Sequence, residues 1–135
     1  MGYHINMRNS KFFISTKHVK EALNAIKSLA GKETITDGSG KHFSWVNTNT
    51  FLAANTLTEA LYEWRWGIKT DAKGNVVSIN FEGEKLGDDN ILFNAIATYV
   101  RSGSYIEMIG EDGAMWRWVF KNKAFKEVHS RIVWD

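Results

Sequence analysis

Two short apolar runs open the chain. Residues 3–8 alternate weakly between apolar and polar side chains, and residues 11–14 are almost entirely apolar. The turn-forming pair Asn9-Ser10 separates them. This pattern predicts two strands joined by a turn.

One amphipathic helix is expected to follow. Apolar side chains recur there at helical spacing, with polar and basic residues between them, so one face would cover a sheet while the other meets water. Ser15 or Thr16 is placed to cap the helix and Gly31 to end it. The buried face is predicted to contain Val19, Ala22, Leu23, Ile26 and Leu29.

The chain then becomes less regular. Residues 34–41 include a Gly-rich run and are predicted to form a flexible turn. A short strand is expected at residues 42–46, and a polar loop at residues 47–50.

Two further helices are expected. Thr56 and Glu59 have the spacing of a capping box, in which each side chain accepts a hydrogen bond from the other residue's backbone N–H. Asp88 or Asp89 is placed to cap the next helix, which Gly103 would end. The buried faces would contain Leu57, Ala60, Leu61 and Trp64 in the first of these helices, and Leu92, Ala95, Ile96, Tyr99 and Val100 in the second.

Alternation with a period of two predicts five more strands. Residues 66–70 and 76–81 form a hairpin in this interpretation, and residues 105–109, 114–120 and 124–134 follow one another. Short connections of this kind require antiparallel pairing. The predicted fold class is α+β: a mainly antiparallel sheet with about three helices packed on one face, ending in a C-terminal β-meander.

Length and composition narrow the class of protein. A chain of 135 residues is expected to form one domain, residues 1–135, and the absence of cysteine fits a reducing compartment. The first residues lack the apolar run of a signal peptide, and no stretch approaches the roughly 20 apolar residues of a membrane-spanning helix. These features predict a cytoplasmic protein that does not bind membranes, and they leave its oligomeric state open.

Charge is unevenly distributed, although the net charge is only +2. Residues 1–50 carry seven basic and three acidic side chains, residues 51–113 carry five and ten, and residues 114–135 carry five and two. Such a layout is compatible with a bipolar surface that steers a charged partner, and equally with charges that intermix on folding.

Residue types that catalyse reactions or bind metals form no recognisable motif. The histidines lack ligand spacing and no phosphate-binding glycine loop is present, so neither a metal nor a cofactor is expected. Acidic residues do cluster near two turns, where paired carboxylates can act as acid and base, and a small hydrolase is therefore a secondary alternative. These residues are also ordinary in turns and helix caps; they are Glu82, Glu84, Asp88, Asp89, Glu107, Glu111 and Asp112.

A Trp-Arg-Trp tripeptide occurs twice, at residues 64–66 and 116–118. In a strand, the two tryptophans of each copy would point to one face and the arginine to the other. Exposed Trp and Arg are typical of binding hot spots and of surfaces for single-stranded nucleic acid, whereas tryptophans that fill the core are the alternative interpretation. Glu107 is expected to pair with Arg117 across the intervening turn.

Several sequence blocks carry a resemblance. They are the Met-Gly-Tyr opening, Gly-Glu-Lys-Leu-Gly-Asp at residues 83–88, and the blocks Gly-Ser-Tyr-Ile-Glu, Gly-Glu-Asp-Gly and Trp-Arg-Trp-Val-Phe within residues 103–120. Together they resemble a group of small uncharacterised proteins of bacteria, phages and mobile elements. The group has no assigned activity, so no residue inherits a role from it. The resemblance implies a context in which small accessory proteins bind and block a host protein, anti-defence inhibitors among them.

The sequence therefore predicts a non-enzymatic binding protein, phage or mobile-element encoded, that inhibits or modulates a host protein by protein–protein contact. A nucleic-acid or nucleotide-binding protein that uses the Trp/Arg strands is the main alternative. The residues predicted to contact a partner are Arg65, Trp66, Lys85, Glu107, Glu111, Asp112, Trp116 and Arg117.

Overall fold

A computed structural model describes residues 2–30, 43, 45–131 and 133–134 of the chain. The strands in these ranges are β1 (Ile5–Lys11), β2 (Trp66–Thr70), β3 (Val76–Phe81), β4 (Tyr105–Gly110), β5 (Met115–Lys121) and β6 (Ala124–His129). The helices are α1 (Thr16–Ser28), α2 (Thr48–Leu52), α3 (Leu57–Glu63) and α4 (Asp89–Ile96), and the 3₁₀ turn Ala97–Tyr99 continues α4. None of the described helices is long and apolar enough to cross a membrane.

Two antiparallel sheets organise these elements. The larger has the strand order β1-β4-β5-β6, and β2 and β3 form a hairpin of their own. Strands β4 to β6 are neighbours both in the chain and in space, so the predicted α+β class and C-terminal meander are confirmed. The prediction of one continuous sheet is wrong, because β2 and β3 form a separate two-stranded sheet, which the backbone bridge between Ile14 and Val76 ties to the chain after β1.

The helices and the β2–β3 hairpin cover one face of the four-stranded sheet. Alternate side chains of β4 and β5 enter this core, and its aromatic centre has Trp66, Phe93 and Trp118 with ring centroids 5.0 to 6.0 Å apart. In one of the two interpretations of the Trp-Arg-Trp copies the tryptophans fill the core, and the structure has this arrangement. Of the predicted helical core residues, Val19 is only partly buried, whereas Leu23, Ile26, Leu92 and Ile96 are buried.

The opening of the chain is one strand rather than two. Asn9 and Ser10 lie inside β1, which pairs with β4. The strand does not turn at these residues but contains a β-bulge of one extra residue after Met7. The apolar pair that follows, Phe12 and Phe13, belongs to no strand. A local turn preference therefore yields here to pairing with a strand almost 100 residues further along the chain.

Two predictions about helices differ in their outcome. Residues 48–52 form α2 where a loop was expected, because the Asn47 side chain accepts a hydrogen bond from the Thr50 N–H at 3.0 Å and caps the helix. The capping box of Thr56 and Glu59 at the start of α3 is confirmed. The predicted features at residues 31 and 34–41 lie outside the described residues. The strand predicted at residues 42–46 is wrong for the residues described there, because Phe43 and Val46 form only an isolated bridge and Trp45 between them has a left-handed backbone.

Candidate functional site

One face of the four-stranded sheet is left uncovered by the described helices, and we call it the open face. Strand alternation places on it five basic side chains and one acidic side chain, Arg8, Lys11, Arg117, Lys121, Lys126 and Glu107. The side chains between them are polar or partly buried apolar groups: Asn6, Asn9, Tyr105, Ile109, Met115, Val119 and Val128. The open face is therefore predominantly positive, with apolar area at its centre.

A β-bulge in β1 places two consecutive side chains on the open face. Met7 and Asn9 have consecutive partners on β4, so Arg8 is the extra residue between them. Arg8 Nη1 lies 3.7 Å from Glu107 Oε2, and Asn9 Nδ2 donates to the Tyr105 hydroxyl at 3.0 Å. Regular alternation would have turned one of the two toward the core, so the bulge adds a cation to this surface.

Arg117 lies at the centre of the open face, and its guanidinium is held from two sides. Its Nε donates to Glu107 Oε1 at 2.7 Å, which confirms the predicted cross-strand pair. The guanidinium carbon stands 4.8 Å from the centroid of the Tyr105 ring. The side chain is 51% exposed, and no other described residue accepts a hydrogen bond from it. Both Nη groups are therefore available to a ligand.

Two cavities flank Arg117, which lines both of them. One, of about 270 Å³, also contacts Arg8, Glu107 and the end of β6. The other, of about 320 Å³, lies between Tyr105, Lys121 and residues 102–104. An extended ligand that crosses the sheet would therefore meet Arg117 whichever cavity it enters.

The first Trp-Arg-Trp copy is not part of this face. Trp64 caps the end of α3, Arg65 has a left-handed backbone with φ 74°, and Trp66 begins β2. The two tryptophans thus lie where the predicted helix ends and the predicted strand begins, and the alternation of a continuous strand does not apply to this copy. Both tryptophans are fully buried, and Trp116 and Trp118 of the second copy are also buried. Burial of all four tryptophans agrees with the interpretation in which they fill the core, and it leaves Trp66 and Trp116 little exposed area for a partner.

Asp89 is the buried partner of Arg65 rather than a simple helix cap. Its carboxylate accepts hydrogen bonds from Arg65 Nη2 at 2.9 and 3.0 Å, from Trp66 Nε1 at 2.9 Å and from the Gly87 N–H at 3.0 Å. Arg65 also donates to the Lys85 carbonyl. Removing one partner from such a buried pair would leave the other charge uncompensated. Arg65 therefore holds the loop before α4 in place. Its side chain is only 13% exposed, so it is poorly accessible to a ligand.

Lys85, another predicted contact residue, lines a separate cavity of about 190 Å³. Its Nζ lies 5.5 Å from the centre of the exposed Trp45 ring. The structure thus brings only Glu107 and Arg117 of the eight predicted contact residues together as accessible side chains on the open face.

The two acidic residues at the β4–β5 turn hold the N-terminal segment. Glu111 accepts a hydrogen bond from the His4 N–H at 2.9 Å, and Asp112 accepts one from the Tyr3 hydroxyl. The bond from Tyr3 lowers the pKa of Asp112 and raises the pKa of Tyr3 above its usual value. Gly110 leaves room for the Tyr3 ring, because any Cβ there would overlap it.

Three of the acidic residues considered for acid–base chemistry bind neighbouring side chains of the fold. Glu107 is engaged by arginines, Asp89 by Arg65 and Asp112 by Tyr3. Within the ranges that the structure covers, no three His, Asp or Glu side chains lie close enough together to hold a metal ion.

Sequence reasoning missed most of the cations of the open face. Lys121 lies four residues after Arg117 in β5, so the same alternation that exposes Arg117 places it on the same face. Lys126 follows from the pairing of β5 with β6. Arg8 had no such signal, because only the bulge turns it outward.

Comparison with models of protein families, with curated proteins and with solved structures finds no match for this chain. The resemblance to small proteins of bacteria, phages and mobile elements therefore stays a prediction.

Proposed function

We propose that this protein binds single-stranded nucleic acid across the open face of its four-stranded sheet. The observation that carries the proposal is the charge of that face, where five cations share the surface with one carboxylate that already lies against Arg8 and Arg117. A phosphate backbone gains free energy on such a surface because it releases its condensed counterions.

The shape of the face favours a single strand over a duplex. The face is a sheet, and no described helix projects from it to enter a groove. Four-stranded sheets backed by helices are known to take unstacked bases across their strands, and this support is an analogy of architecture. The guanidinium of Arg117, held over Tyr105, offers a planar group on which a base can stack.

A salt series tests the proposal. Fluorescence anisotropy would follow a labelled oligonucleotide of about 12 nucleotides, a length within the range that sheet folds of this kind cover. We expect log Kd to vary linearly with log salt concentration. The double variant Arg8→Ala/Arg117→Ala should reduce that slope by about 1.4, since each single-strand phosphate contact contributes about 0.7.

The matched control removes two cations outside the open face. Lys20 is exposed on α1 and Lys69 is exposed on β2, and neither lines a cavity next to Arg117. Lys20→Ala/Lys69→Ala should leave the slope unchanged if local charge rather than net charge drives binding. Absence of binding by the wild-type protein at about 50 mM salt would contradict the proposal, because electrostatic binding is strong there.

A host protein bound on the same face is the second candidate. The observation that favours it is the apolar area around Arg117, since aromatic and aliphatic groups around a central arginine are typical of protein interfaces. This area is provided by Tyr105, Ile109, Met115, Val119 and Val128. A partner captured from host lysate by the wild-type protein but not by Arg117→Ala, together with no affinity for oligonucleotides, would establish this second function instead.

A further inference from the structure

We infer that a basic cavity beside the β5–β6 turn binds the terminal phosphate of the nucleic-acid strand; the inference rests on the proposed function. The cavity has a volume of about 480 Å³, and no acidic side chain is among its described lining residues. Three cationic side chains line it, Lys17, Arg101 and Lys123, together with the ring of His18. A concave site with several cations and no lining carboxylate is suited to a compact anion.

Arg101 is positioned for this role before any ligand arrives. Its guanidinium carbon stands 3.6 Å from the centroid of the Phe13 ring, and its backbone N–H donates to the Phe13 carbonyl at 2.8 Å. A guanidinium that already stacks on a ring loses little freedom when it binds an anion. Lys17 and Lys123 form no ion pair with any residue the structure describes, and Glu21, 3.1 Å from His18 Nδ1, lies outside the lining.

Lys123 is held at the cavity by a strained turn. The β5–β6 connection is Asn122-Lys123, and both residues have left-handed backbones, with φ 54° and 66°. Turns of this type favour Asn followed by Gly, because a side chain at the second position crowds the backbone. Strain at a position where glycine would relieve it points to a function for the side chain. Here it places an ammonium group on a cavity that already contains Arg101.

The cavity continues the open face. Ser102 lines both this cavity and the neighbouring one that Arg117 and Lys121 line. A strand that crosses the face past Arg117 would thus reach the cavity with its end. An internal phosphodiester carries a single negative charge, whereas a terminal phosphomonoester carries about −1.5 to −2 at neutral pH. The concentration of cations therefore matches a terminal phosphate better than an internal one.

Three labelled oligonucleotides of one sequence test the inference: one with a 5′-phosphate, one with a 3′-phosphate and one with hydroxyl groups at both ends. We expect one of the two phosphorylated forms to bind the wild-type protein about tenfold more tightly than the hydroxyl form, as a charge-assisted contact would give. Lys123→Gly should abolish this preference, so that the phosphorylated form binds no more tightly than the hydroxyl form. The same variant should raise the Tm by about 2 °C, because glycine relieves the strain of the turn.

Two further variants keep the test specific. Lys123→Ala retains the strained backbone, so it should abolish the preference without the gain in Tm. Lys69→Ala removes the same charge from β2 and should keep the preference, because Lys69 does not line the cavity.

The outcomes separate the inference from the function it rests on. Equal binding of all three oligonucleotides to the wild-type protein overturns the terminal-phosphate site and leaves the proposed function standing. Absence of binding to all three overturns both. A phosphoserine peptide that binds the wild-type protein more tightly than the phosphorylated oligonucleotides, and loses affinity in Lys123→Gly, would assign the cavity to a protein partner and overturn the inference.

Discussion

The two Trp-Arg-Trp copies put one tripeptide into two different environments. In the first copy the chain turns at Arg65, and the guanidinium faces the fully buried Asp89. In the second the chain runs straight through β5, and Arg117 lies half exposed beside Glu107. The nitrogen–oxygen distances are nearly equal, 2.9 and 2.7 Å. Burial rather than distance distinguishes an arginine that maintains the fold from one that can meet a partner.

The tryptophans do not share this division. Both tryptophans of each copy are buried, so each copy contributes large apolar groups to the core. Only the arginine between them changes role, and it does so because the backbone around it is a turn in one copy and a strand in the other. Experiments on the arginines and their acidic partners therefore test the comparison most sharply.

Removing Asp89 should have the largest effect. Asp89→Ala leaves Arg65 without its carboxylate and the Trp66 indole N–H without an acceptor, so we expect a loss of about 3–5 kcal/mol in the free energy of unfolding. Urea denaturation would measure it. Glu107→Ala is the matched control on the exposed pair and should cost no more than about 1 kcal/mol. Similar losses in the two variants would contradict the distinction between the copies.

Exchanging each arginine for lysine should have the next largest effect. Arg65 Nη2 reaches both oxygens of Asp89 while Nη1 reaches the Lys85 carbonyl, and a lysine ammonium cannot reproduce that geometry. We expect Arg65→Lys to cost about 2 kcal/mol of stability because buried acceptors lose their donors. Arg117→Lys should cost less than about 0.5 kcal/mol, as exposed substitutions usually do. A larger loss of stability in Arg117→Lys than in Arg65→Lys would contradict the difference between the two copies.

Truncating the exposed arginine should affect binding much more than folding. Arg117→Ala is expected to change stability by less than about 1 kcal/mol, because the Arg117 side chain is half exposed to solvent. The slope of log Kd against log salt for an oligonucleotide should fall by about 0.7, the share of one phosphate contact. A large loss of stability with the slope intact would make Arg117 a structural residue like Arg65.

The smallest effect is expected at the β4–β5 turn. The hydrogen bond from the Tyr3 hydroxyl lowers the pKa of Asp112. This bond therefore stabilises the fold at pH values above the unfolded pKa of about 3.9, and the stabilisation is lost as the pH falls through the lowered pKa of the folded state. The raised pKa of Tyr3 makes the same stabilisation present below about pH 10 and lost as pH rises through the raised value.

Thermal unfolding of wild type and Tyr3→Phe across pH would measure this contribution. The difference in Tm should be small and constant between about pH 5 and 9, and it should shrink outside that window. A difference that persists unchanged at about pH 2 would contradict this assignment, because Phe keeps the ring that stacks on Trp116 and lacks only the hydroxyl that binds Asp112.

The parts of the fold that local sequence determines were predictable. The Thr56–Glu59 capping box, the β2–β3 hairpin and the C-terminal meander each depend on residues within one short segment. The pairing of Glu107 with Arg117 was predictable for the same reason, because a short turn sets the register of the two strands.

What the pattern did not predict depends on distant contacts. The left-handed turn at Arg65 is held by Asp89, 24 residues further along the chain, and no local preference favours arginine there. The bulge that exposes Arg8 exists only in the pairing of β1 with β4. The charge of the open face was hidden for this reason: its cations come from three strands, and β1 lies far from β5 and β6 along the chain.

The most direct test is whether a single-stranded oligonucleotide contacts Arg117 and leaves Arg65 untouched. A ¹H–¹⁵N spectrum of the arginine side chains, recorded during titration with the oligonucleotide, would show this. The Nε–H of Arg65 is buried and has no hydrogen-bond partner among the described residues, whereas that of Arg117 donates to Glu107 on the open face. We expect a saturable shift of the Arg117 signal and an unchanged Arg65 signal. An Arg117 signal that does not move while the oligonucleotide binds elsewhere, or an Arg65 signal that moves in its place, would contradict this expectation.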